Sequence, residues 1–218
     1  CHLCQRGLGV MPGSPKDLFV LVSDSNMKAT VQALLSRTAA MAIRAVEAEI
    51  RTHPQRDSGC CFGGVEFLSA FAGRFQHALL MFDREGCGKE DLVPADIETM
   101  IEEQLSHTGW HDRARVIVLD PELEAWVWSS SPHVEECLGW RNQPAPLRRW
   151  LFEHGYDFGE AGKPLRPKEA MESVLYASRT PRSSAIYRRL AETVSWRGCV
   201  DRAFLKLQSV LQDWFGLR

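Results

Sequence analysis

Three short apolar runs organise the first two-thirds of the chain: Leu18 to Val22, Ala78 to Phe82 and Arg115 to Leu119. None alternates with polar residues, which is the pattern of strands buried on both faces of a parallel sheet. After the first run, Ser23-Asp24-Ser25-Asn26 offers several N-cap candidates. A helical period follows through Val31, Leu34, Leu35, Ile43, Val46 and Ile50. It is expected to end near His53-Pro54, because the residue before a proline disfavours helix. Residues 55–63 read as loop, Gly64 to Leu68 as a short strand, and the stretch through Phe71 and Arg74 as a brief helix. A further helix is expected from about Pro94 to Ser106, with Ile97, Met100, Ile101 and Leu105 on its apolar face. Asp120-Pro121 has the chemistry of an N-cap and first helical residue, ahead of Glu122, Glu124, Trp126 and Trp128.

Beyond residue 140 the strand signals stop. Helical patterns remain at about 147–154, 168–177 and 184–194. A last one runs from about Cys199 to Phe215, with Val200, Phe204, Leu207, Leu211 and Trp214 as its stripe. Strands alternating with helices predict an α/β fold, a mostly parallel sheet flanked by helices. The expected organisation is a disordered leader over 1–16, an α/β core over 17–140, and a helical extension over 141–218 packed on that core.

Composition adds bounds rather than chemistry. The chain has 218 residues, 44% of them hydrophobic and 25% charged, so one ordinary core is affordable without disulfides. No apolar run reaches the roughly 18 residues of a membrane span. Gly7, Gly9, Pro12 and Gly13 interrupt any signal-peptide core, so a cytoplasmic location without membrane association is expected. Seven cysteines are then expected to be reduced thiols. Cys1-His2-Leu3-Cys4 has the spacing of half a zinc site, but the sequence offers no matching second pair. Met11, followed by Pro-Gly-Ser-Pro, reads as an alternative start.

Charge is unevenly distributed. Residues 1–140 carry 12 Lys and Arg against 20 Asp and Glu, a balance of −8; residues 141–218 carry 14 against 8, a balance of +6. An acidic front and a basic back suit a metal site beside a surface for a polyanion.

Ligand sites in open α/β sheets gather at the carboxyl ends of the strands. Each expected strand ends in acids: Asp24 after the first, Asp83 and Glu85 after the middle one, Asp120 after the last. Clustered oxygen ligands suit Mg²⁺ or Mn²⁺. Asp120 reads most simply as a helix cap, and Asp24 reads equally as cap or ligand. Asp83 and Glu85 are the expected centre, since two acids so close repel unless a cation is shared. Glu124 also fits the first turn of a helix, where the dipole favours an acid. The histidines form no metal pattern, and no nucleophile elbow, dinucleotide fingerprint or P-loop is present.

Four segments resemble the Toprim-like fold, particularly the small DUF4276-type proteins related to the Toprim domain of the OLD nucleases. These are Val22-Ser23-Asp24-Ser25; Phe82-Asp83-Arg84-Glu85, similar to that fold's DxD; Pro121-Glu122-Leu123-Glu124-Ala125-Trp126; and the tail with Gly162-Lys163-Pro164 and Ala203-Phe204-Leu205-Lys206-Leu207. The likeness covers about residues 17–216. It implies a Mg²⁺ site, in a family with many members among bacterial antiphage defence genes. Metal ligands or proton-transfer acids would then be Asp24, Asp83, Glu85 and Glu124. Two departures stand out: Asp24 followed by Ser25 replaces the family's Glu-Gly, and the second acid of DxD is Glu85.

The expected activity is divalent-metal-dependent phosphodiester cleavage of nucleic acid. Asp24, Asp83 and Glu85 would hold the ion, Glu124 and Asp83 would serve the chemistry, and Lys163, Arg166, Lys168, Arg179 and Arg182 would contact phosphates. The alternative is a catalytically silent subunit that binds a protein partner or nucleic acid in a defence complex. A third reading is a small-molecule phosphate enzyme using the same acids.

Overall fold

The computed structural model describes residues 15–159 and 162–217; residues 1–14 of the expected leader, with the Cys1–Cys4 motif, lie outside them, and Lys16 already belongs to a strand. In chain order the elements are β1 (Lys16–Val22), α1 (Ser25–Ser36), α2 (Thr38–Met41), β2 (Ala48–Thr52), α3 (Arg56–Ser69), β3 (Phe75–Asp83), α4 (Pro94–Ser106) and β4 (Ala114–Leu119). A 3₁₀ turn at Leu123–Trp126 follows, then α5 (His133–Cys137), α6 (Leu147–Glu153), α7 (Pro167–Ala177), α8 (Ser184–Thr193) and α9 (Arg202–Phe215). The protein is α/β, with four parallel strands in the order β2-β1-β3-β4 flanked by helices.

The three apolar runs form β1, β3 and β4. Leu18 to Val22 are fully buried, each such side chain contributing about 1.5–3 kcal/mol by leaving water. Successive residues serve opposite faces. Leu18, Val20 and Val22 join a core with α1, α7, α8 and α9, while Phe19 and Leu21 join a second core with α3 and α4. Residues from both sides of position 140 share the first core.

Two acids of α4, Glu98 and Glu102, protect the sheet edge. β4 is an edge strand, and an unpaired edge invites association with other chains. Here the Val116 and Val118 N–H groups donate to Glu102 and Glu98 at 2.9 and 2.8 Å. Arg202 and Lys206 of α9 donate to Glu98, and Lys206 also reaches Glu102.

Several sequence expectations need correction. The long helix stops at Ser36, and Ala48–Thr52 is instead the outer strand β2. Residues 56–69 are a helix, neither loop nor strand. Asp120 caps no helix; Glu122 precedes the 3₁₀ turn, and exposed Asp120 pairs with Arg84 at 3.0 Å. The α9 stripe is Ala203, Phe204, Leu207, Val210, Leu211 and Phe215, with Val200 exposed. Among the described residues, no helix is long and apolar enough to cross a membrane, and five cysteines are free.

Candidate metal centre

Strand order places the site. The chain steps from β1 to β2 on one side and returns to β3 on the other, so the segments leaving the carboxyl ends of β1 and β3 turn to opposite faces, α1 to one core and α4 to the other. Such switch points open a crevice. Val22 pairs with Met81, and Asp83 with Leu119, which brings the acids after β1 and β3 to one rim. The crevice is an open polar cleft of about 540 Å³. Asp24, Asp57, Asp83 and Glu124 line it with Arg56, Lys168 and Arg182.

Asp83 is the centre of this cluster. Its residue is only half-buried, yet its Oδ1 is enclosed and has no hydrogen-bond partner. Buried carboxylate oxygens ordinarily find donors, so this one is exceptional. Burial pushes the Asp83 carboxyl well above the usual carboxylate range, reinforced by Asp57, then Glu124, Asp24 and Glu122. Burial, then the charge of Glu124, raises Glu122 as well.

Asp57 was not among the acids expected from sequence. It lies in the first turn of α3, where the helix dipole favours an acid. Its Oδ1 accepts the Asp83 backbone N–H at 2.9 Å. Asp24 caps α1, accepting the Met27 N–H at 2.8 Å, and still lines the cleft. Capping engages one oxygen, so cap and ligand are compatible roles.

Glu124 is buried and satisfied. Its Oε1 accepts the Tyr187 hydroxyl at 2.5 Å and Arg182 Nη2 at 2.6 Å. Glu85 is placed differently from the other acids: it is exposed at the turn after β3 and does not line the cleft. Its N–H donates to the Pro121 carbonyl. The structure therefore gathers Asp24, Asp83 and Glu124, adds Asp57, and leaves Glu85 outside.

The basic residues divide as well. Arg182 and Lys168 stand in the cleft: Arg182 joins Glu124 to Glu172, and Lys168 lies 3.7 Å from Glu122. Lys163 approaches Asp201 at 3.4 Å and Arg166 pairs with Glu169 at 2.7 Å. Arg179 is exposed, with φ of 55°. Of the five, only Lys168 and Arg182 line the cleft.

Among the described residues, no three His, Cys, Asp or Glu side chains form a ready-made metal cage. A hard cation does not require one. Mg²⁺ keeps several waters and is commonly held by one or two carboxylates. The enclosed Asp83 Oδ1, with Asp57 and Asp24 at the same rim, fits such an ion. No family model matches the chain, and no curated protein or solved structure matches it either.

Proposed function

We propose that the chain is a Mg²⁺- or Mn²⁺-dependent enzyme that cleaves phosphodiester bonds in nucleic acid, and that Asp83 and Asp57, with Asp24, hold the ion. The observation carrying this reading is the unpartnered Asp83 Oδ1 in a cleft of carboxylates at the sheet's switch point. Enclosed, mutually repelling acids are costly unless a cation is shared. When bound, a divalent ion supplies Lewis-acid stabilisation of phosphoryl charge. Asp57 orients Asp83 through the backbone hydrogen bond. Tyr187 and Arg182 hold Glu124 at the cleft wall, where its carboxylate can accept a proton or orient water. Lys168 and Arg182 set positive charge at the mouth against incoming phosphate.

The test is Mg²⁺-dependent nicking of DNA or RNA, expected to disappear in Asp83→Ala. Undiminished cleavage by the purified variant would overturn the assignment. One observation favours the second reading, a silent binding subunit: Glu124 is already neutralised by Arg182 at 2.6 Å. A stable co-purifying partner, with no cleavage and no metal uptake, would select it. Work in antiphage defence is what the family resemblance implies and belongs to the same proposal.

A further inference from the structure

A second cavity of about 220 Å³ lies behind the cleft wall. Leu123 lines both spaces. Tyr187 lines the second cavity, while its hydroxyl donates to Glu124 of the first.

The walls of this cavity are aromatic and its rim is cationic. Trp126 and Trp196 are half-buried, and Phe204 packs between them at centroid distances of 5.5 and 5.6 Å. Two of these groups are held from outside the cavity. Asp201 accepts the Trp126 indole N–H at 2.9 Å, and the Arg37 guanidinium lies 3.8 Å from the Trp196 ring centre. Arg148, Lys163 and Arg197 line the cavity with Ser129, Ser130 and Ser195. Lys163 thus stands at this cavity, away from the acid cleft.

We propose that this cavity takes a single nucleobase of the nucleic acid that the acid cleft acts on; the proposal rests on the phosphodiester reading above. Drug-sized ligands use pockets of roughly 300–1,000 Å³. A 220 Å³ space suits one planar ring system, with sugar and phosphate left at the rim. Indole and phenyl walls stack on any base, the serine hydroxyls offer hydrogen bonds to its edge, and the rim cations meet the attached phosphate. A fatty acid could use the apolar walls and set its carboxylate against a cation, but it would leave the serine hydroxyls unmet, so octanoate is the rival probe.

The probe is adenosine 5′-monophosphate, titrated in chelator against the full chain and followed by tryptophan fluorescence and calorimetry. Saturable binding is expected, weakened about five-fold or more in Trp196→Ala. Arg197→Glu should also weaken it, and this exposed side chain makes no ion pair among the described residues, so that variant keeps the fold. Asp83→Asn should bind the nucleotide as wild type does, which separates this site from the metal centre. Binding unchanged by both cavity variants, or octanoate binding where the nucleotide does not, overturns the proposal. Nucleotide binding as expected with no Mg²⁺-dependent cleavage would instead overturn the catalytic reading and leave the base pocket standing.

Discussion

Asp57 Oδ1 accepts the backbone N–H of Asp83 at 2.9 Å, tying the first turn of α3 to the last residue of β3. A helix start and a strand end, 26 residues apart, thereby present two carboxyls to one cleft. Asp57 is also the strongest charge raising the Asp83 carboxyl, second only to burial. Asp57→Asn keeps an oxygen able to accept that N–H and removes the charge. The Asp83 carboxyl should then titrate at lower pH than in wild type, read by carboxyl-carbon NMR in metal-free protein. An unchanged titration would show that the two side chains do not interact electrostatically.

The same shift gives a sign for stability against pH. An unfolded aspartate titrates near 3.9, and folded Asp83 lies well above that. Between the two values the folded state binds more protons. This group's contribution is therefore full below the unfolded value and is lost as pH rises through the folded one. In chelator, urea stability of wild type should fall with rising pH relative to Asp83→Asn. Parallel curves would contradict the assignment.

Much of the fold is legible in the sequence because β1, β3 and β4 are buried on both faces, leaving uninterrupted apolar runs. The edge strand β2 is not, because Ala48-Glu49-Ile50-Arg51-Thr52 is only half-buried and its apolar positions continue a helical spacing. Helix α3 is masked by Gly59, Gly63 and Gly64: residues 55–63 read as loop and Gly64 to Leu68 as a short strand. Gly59 and Gly64 serve packing: a Cβ there would lie 2.1 Å from His53 Nδ1 and 2.7 Å from Leu80 Cδ2. Asp57 is hidden for the same reason, since an acid in an apparent loop carries no strand-end signal. Glu85 lies two residues from Asp83 in sequence, but the turn after β3 carries it outward, away from the cleft.

Helix packing makes Gly59 a sharp test of the α3 contact. His53 Nδ1 accepts the Gln55 N–H at 3.1 Å, so the ring is held from its backbone side. Gly59→Ala should cost about 1–3 kcal/mol by overpacking, measured by urea unfolding. Gly73→Ala, where a Cβ meets nothing within 4 Å, is the control and should cost less.

Edge protection on β4 can be tested separately from the site. Glu98 is buried and accepts from Val118 N–H, Arg202 and Lys206. Glu98→Ala leaves the Val118 donor unmet, at a cost of about 1–3 kcal/mol. Lower urea stability with greater self-association at high concentration is expected; neither change would mean that the edge is guarded elsewhere.

The metal centre itself is tested most directly by a crystal structure grown with Mn²⁺ and read by anomalous scattering. The expected result is a peak in the cleft beside Asp83 and Asp57, with Glu85 uninvolved, that vanishes in Asp83→Asn. A correctly folded protein with no peak in this cleft at saturating Mn²⁺, or a peak held by Glu85 without Asp83, would contradict it.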